Sequence, residues 1–187
     1  MTETESETPR RIDEGWEAII YDLDGTLVDL AVNWDEVATA VVQMFGKRGV
    51  DTSGNLWDLL DRASKVDLRG NVEEIISEYE CEGAHYSKRL PLAEQLVSED
   101  RPVAVCSLNC EEACRIALET HDLDSYVDAV VGRDSVEKPK PDPSPLEAAA
   151  AALEVPPGKT MFVGDTDRDA ITAERAGTGF LYVRDLV

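Results

Sequence analysis

Short apolar runs rich in Ile, Val and Ala recur near residues 17–22, 102–107, 127–131, 160–164 and 179–183. Runs of that length between turn residues read as buried strands. Between the later runs the apolar positions change to a helical period. They predict helices over about 110–121 with Asn109 as N-cap, about 144–153 in an alanine-rich stretch, and about 167–176 ending at Gly177. Strand alternating with helix builds a parallel sheet covered on both faces.

The gap between the first two strands is far longer than a crossover needs. Within it, helical periodicity over 34–46, 55–65 and 71–82 is punctuated by Gly46, Gly49, Gly54, Gly70 and Gly83, and a further helix is expected over 88–99. Trp34 and Trp57 stand where apolar helix faces would bury them. The fold class that follows is α/β, a Rossmann-like parallel sheet core of five main strands with an inserted small all-helical cap. Residues 1–15, polar and acidic, read as a disordered tail; 16–29 and 91–187 form the core and 30–90 the cap.

Charge narrows the function classes. The 187 residues carry 18 basic and 39 acidic side chains, a net charge of -21. Such a field repels nucleic-acid backbones and anionic membranes, so neither is an expected partner. With 12 Arg and only 6 Lys among the basic residues, a protein of a salt-rich, halophilic cytoplasm is expected, an acidic mesophilic protein being the alternative. No run approaches the roughly 18 apolar residues of a membrane span, and the acidic start is unlike a secretion signal, so a cytoplasmic location is expected. Cys106, Cys110 and Cys114 are spaced four apart without histidines arranged to complete a zinc motif, and read as buried structural thiols.

Four polar clusters fall at the C-terminal ends of predicted strands, where open α/β sheets gather ligands. The first is Asp22 and Asp24 in Ile-Ile-Tyr-Asp-Leu-Asp-Gly-Thr. In an extended strand both carboxylates face the same side, and Gly25 turns the chain away; Asp-Gly between apolar residues is also a hairpin signal. The second is Ser107 with Asn109, where a hydroxyl and helix-start amides could bind an anion or simply cap the helix. The third is Glu-Lys-Pro-Lys-Pro-Asp-Pro, which offers Lys138 and its competitor Lys140. The fourth is Asp165 and Asp169, one helical turn apart in Gly-Asp-Thr-Asp-Arg-Asp. Together they supply a nucleophile, a proton donor, anion donors, a cation and metal-holding carboxylates, the parts of a phosphoryl-transfer site.

In this order the residues resemble the haloacid dehalogenase-like superfamily, in its phosphoglycolate-phosphatase-like branch with a helical cap. The resemblance implies that Asp22 is the nucleophile forming an aspartyl phosphate and Asp24 the acid/base. It also implies that Ser107 and Asn109 bind the phosphoryl group. The family's Lys-Pro-x-Pro pattern selects Lys138 as the stabilising cation. Mg²⁺ is the implied cofactor, held by Asp22, Asp165, Asp169 and the backbone carbonyl of Asp24, with Asp169 a direct ligand, a water-mediated one or the lysine's partner. Arg69 and Lys65 in the cap are candidates for binding the rest of a small phosphorylated metabolite. The implied activity is a magnesium-dependent phosphatase. A phosphosugar mutase of the same fold and a non-enzymatic phosphoryl-accepting regulatory domain share most of these parts.

Overall fold

The computed structural model describes residues 12, 15–54 and 56–187, without the side chains at positions 56, 57, 60 and 61. The expected tail therefore lies outside the described residues except at Ile12 and Gly15, and so does the side chain of Trp57. Ile12 is buried in the main apolar cluster.

In chain order the elements are β1 (Ala18–Tyr21), β2 (Val28–Asp29), α1 (Trp34–Lys47), α2 (Leu56–Lys65), α3 (Arg69–His85), β3 (Lys88–Arg89), α4 (Ala93–Val97) and β4 (Val103–Cys106). There follow α5 (Glu111–Thr120), β5 (Ala129–Val131), α6 (Ser144–Ala152), β6 (Thr160–Gly164), α7 (Asp167–Ala176) and β7 (Gly179–Tyr182). Five strands pair in parallel in the order β5-β4-β1-β6-β7. Every residue of β1, β4 and β6 is buried, which is why these strands read as unbroken apolar runs.

Alternation along β1 divides the core. Ile19 and Tyr21 join Val103, Val105, Met161 and Val163 in a cluster under α4 and α5. Ala18 and Ile20 join Ala104, Cys106 and Phe162 in a second cluster under α6 and α7. The strand order reverses direction beside β1, between β1 and β6, and the crevice outside the strand ends at such a point is the usual ligand site of this architecture.

The helical insertion has its own core, with Val37, Val41 and Phe45 of α1 against Leu59 and Ala63 of α2, Leu68, and Val72 and Ile76 of α3. Two expectations fail here. Trp34 is 46% exposed, because the stripe Val37, Val41, Phe45 leaves it in the first turn, outside that small core. The helix expected over 88–99 shrinks to α4, because Lys88 and Arg89 pair antiparallel with Asp29 and Val28. The partners are about 60 residues apart, so no local pattern announces the ribbon. Its two strands carry the chain into and out of the insertion side by side. The expected N-cap also moves. Cys110, not Asn109, caps α5 and does so without a side-chain bond; the Cys110 and Glu111 amides donate instead to Glu80 (2.9 Å) and Asp134 (2.8 Å).

Candidate active site

The centre of the site is built where β1 ends. The Asp22 amide donates to the Val163 carbonyl (2.8 Å), extending the β1–β6 ladder by one residue and holding Asp22 at the sheet rim. The chain then turns: the Leu23 carbonyl accepts from the amides of Thr26, Leu27 and Val28, and Gly25 takes φ +78°. Only glycine suits that turn. Besides the left-handed backbone, a Cβ at Gly25 would lie 2.9 Å from the Asp165 carboxyl carbon.

Lys140 is the cation of the site. Its Nζ donates to Asp169 Oδ1 (2.6 Å), Asp22 Oδ1 (3.1 Å) and the Cys106 carbonyl (3.2 Å), and lies 5.3 Å from the centre of the Phe162 ring. The residue is 4% exposed. Arg175 fixes the loop by donating to the Pro141 carbonyl (2.9 Å). The expectation of Lys138 in this role is thereby corrected, for Lys138 is exposed and Lys140 occupies the place. The motif fits twice in overlapping register, as Lys138-Pro139-Lys140-Pro141 and as Lys140-Pro141-Asp142-Pro143. The second register is the one that reaches Asp22.

Asp165 and Asp169 follow β6. Asp169 closes a capping box with Thr166 at the start of α7, its Oδ2 accepting from the Thr166 amide (3.1 Å) and hydroxyl (2.6 Å). With Oδ1 on Lys140, both Asp169 oxygens are engaged. Asp165 Oδ1, by contrast, is buried with no hydrogen-bond partner among the described residues. Oxygens of Asp22, Asp165 and Asp169 lie within 4.8 Å of one another. Ionised, these three carboxylates and the one ammonium leave two negative charges uncompensated. An all-oxygen donor set, an orphaned buried oxygen and that charge excess fit a divalent cation. The Asp24 carboxylate lies outside this cluster; its Oδ1 accepts from the Leu30 amide (2.8 Å).

Electrostatics follow from burial. Desolvation pushes the Asp22 carboxyl up to about 7, against the pull of the Lys140 ammonium and with added repulsion from Asp169. Burial likewise raises Asp24, partly offset by the Leu30 amide, and raises Asp165, with Asp169 adding to the effect. Lys140 is held above the usual lysine value: burial disfavours its charge, and the carboxylates of Asp22 and Asp169 more than restore it. Cys106, Cys110 and Cys114 are buried free thiols, and burial pushes Cys106 up to about 12.

A second cluster forms at the end of β4. Ser107 Oγ donates to Asn109 Oδ1 (3.0 Å) and the Asn109 amide donates back to Ser107 Oγ (3.3 Å). Behind them sits Glu80 of α3, 1% exposed, which the sequence reading did not single out. It could have been found: Val72, Ile76, Glu80 and Ala84 are spaced by four on the buried face of α3, and an acid on an apolar stripe demands a partner. The partner is Arg133, whose Nη1 and Nη2 donate to the two Glu80 oxygens (2.7 and 3.0 Å).

The two cap residues are not brought together. Exposed Arg69 pairs with Glu73 (2.8 Å) and lines a cleft of about 270 Å³ between α3 and the segment after β5, with Ser77, Arg133 and Pro139. Lys65 lines a separate depression with Ser53, Asp58 and Arg62.

Among the described residues no helix is long and apolar enough to cross a membrane. The chain is 31% identical to the phosphoglycolate phosphatase of Aquifex aeolicus, over 86% of this chain and 81% of that protein. It is 26% identical to the pyrophosphatase PpaX of Bacillus mycoides, over 86% and 80%. In fold it is similar to the crystal structure of CbbY from Rhodobacter sphaeroides in complex with phosphate, at a TM-score of 0.62 and 19% identity, over 89% of this chain and 85% of that one. The model of the haloacid dehalogenase-like hydrolases matches residues 19–183, and with the sheet order and the aspartate–lysine cluster now in view, the chain belongs to that family.

Proposed function

We propose that this protein is a magnesium-dependent phosphatase of small phosphomonoesters, phosphoglycolate among them, working through a phosphorylated Asp22. One observation carries the reading: Asp22, Lys140 and Asp169 are joined by hydrogen bonds beside the orphaned Asp165 oxygen. A nucleophile, a fixed cation and an anionic pocket for a hard cation thus share one crevice.

In the first half-reaction an Asp22 oxygen forms a bond to phosphorus as the bond to the ester oxygen breaks. Asp24 gives that oxygen a proton, and its raised carboxyl is suited to holding one. In the second half-reaction Asp24 takes a proton from water, whose oxygen attacks phosphorus. The bond to Asp22 breaks, phosphate leaves, and both carboxyls return to their starting states. Lys140 offsets phosphoryl charge and orients Asp22, while Ser107 and the Asn109 region supply hydrogen bonds to the phosphoryl oxygens. Asp22, Asp165 and the Asp24 carbonyl would hold Mg²⁺, with Asp169 in the role of the lysine's partner. When bound, the ion screens the repulsion between carboxylate and phosphate.

The insertion, joined through the β2–β3 ribbon, would act as a cap, and Arg69, which pairs with Glu73 at the mouth of its cleft, is the candidate to meet a substrate carboxylate on closure. Lys65 has no part in that cleft. A panel of phosphorylated metabolites, pyrophosphate included, assayed for phosphate release at low and at multimolar salt tests the reading. Release from small phosphomonoesters is expected, and silence across the panel would contradict it. Interconversion of sugar phosphates without phosphate release would favour a mutase.

Two further outcomes are expected. Chelation should stop turnover, and Mg²⁺ should restore it better than Ca²⁺, whose larger and looser shell misplaces an in-line attack; equal rescue would count against an oxygen site of this kind. Asp24→Asn should slow turnover by about a hundredfold or more. In single-turnover phosphorylation an aryl phosphate with a good leaving group should lose less than an alkyl phosphate, and identical losses would remove Asp24 from the role of acid.

A further inference from the structure

The loop that presents Ser107 and Asn109 is held from the insertion. Glu80 Oε2 accepts from the Cys110 amide (2.9 Å) and Glu80 Oε1 from Asn109 Nδ2 (3.3 Å). Arg133 occupies both carboxylate oxygens and also ties down the loop backbone. Its Nη1 donates to the Leu108 carbonyl (2.7 Å), its own amide to the Asn109 carbonyl (2.8 Å), and its Nη2 to Ser77 Oγ on α3 (3.2 Å). With Nδ2 turned to Glu80, Asn109 directs Oδ1 at the Ser107 hydroxyl. The segment after β5 also packs closely against the start of α5, where a Cβ on Gly132 would lie 2.6 Å from the Glu111 Cα.

We propose that Glu80 is a positioning residue for the phosphoryl group: from the insertion it fixes the Asn109 side chain, and through it the Ser107 hydroxyl, which the phosphatase reading assigns to phosphate. A buried ion pair is by itself weak evidence for stability, and apolar residues often replace one without loss. Here the carboxylate also accepts from an amide and a side chain of the binding loop. The cap residue thus acts on the end of the substrate common to all phosphomonoesters. Arg69, the proposed contact for the other end, would discriminate among them. The inference rests on the phosphatase reading given above.

The test compares wild type with Glu80→Gln, in Mg²⁺, on an aryl phosphate and on a carboxylated alkyl phosphate, with inorganic phosphate binding measured by calorimetry. Glutamine turns an amide N–H₂ toward donors it cannot pair. The expected result is phosphate affinity weakened about tenfold, KM raised by a similar factor on both substrates, and kcat changed far less. A second variant, Glu80→Leu with Arg133→Leu, removes the charges together. A purely structural ion pair predicts that this variant, once folded, recovers wild-type phosphate affinity; positioning predicts that the affinity stays weak. Unchanged phosphate binding in folded Glu80→Gln, losses that differ between the substrates, or recovery in the double variant would each overturn the proposal while leaving the phosphatase reading intact. A wild type that neither releases nor binds phosphate would instead overturn that reading, and the proposal with it.

Discussion

Replacing Asp22 by asparagine is expected to lower turnover by at least about a thousandfold with the fold in place, because the amide removes the nucleophile at nearly unchanged volume. The asparagine side chain would still offer a carbonyl oxygen where Asp22 Oδ1 now accepts from Lys140, and the backbone N–H bond to the Val163 carbonyl is untouched. Steady-state rates on an alkyl phosphate, with circular dichroism to show the fold, check this. Near-normal rates would remove Asp22 from the reaction.

Lys140→Met is expected to cost both activity and stability, and Lys138→Met neither. Loss of a fixed cation at a developing charge lowers rates by about a hundredfold to a thousandfold. The substitution also leaves Asp22 and Asp169 buried without their ammonium, a kind of loss that destabilises by about 3–5 kcal/mol. Lys138 is exposed, and a change there should fall within about 0.5 kcal/mol. Kinetics and urea unfolding of the two variants side by side read both effects. Mg²⁺ opposes carboxylate repulsion, so the stability gap should be widest in chelator. Equal behaviour of the two variants would undo the assignment of the lysine.

How far these expectations were legible in the sequence depends on how local their physics is. The β1 run exposes Asp22 because a buried parallel strand is apolar throughout and the first charge marks its rim. Asp165 and Asp169 sit one helical turn apart, and Gly177 ends α7 in a left-handed conformation with φ +71°; each is set within four residues. The lysine was not legible in this way. Both registers of Lys-Pro-x-Pro satisfy the backbone, and only packing against Phe162, Cys106 and Asp169 chooses between them. The β2–β3 ribbon and the Glu80–Arg133 pair join segments about 60 and 53 positions apart, where no window of sequence reports the partner. The N-cap of α5 was misplaced for the same reason, since its amides are satisfied by Glu80 and Asp134 rather than by a neighbour.

The central claim is that phosphorus is attacked twice, first by Asp22 and then by water. Each in-line displacement inverts configuration, so a phosphorothioate monoester made chiral at phosphorus with two oxygen isotopes, hydrolysed in water carrying the third, reports the number of displacements in the configuration of the released thiophosphate. The account predicts net retention; net inversion would mean that water attacks the substrate directly and that no phosphorylated Asp22 lies on the path.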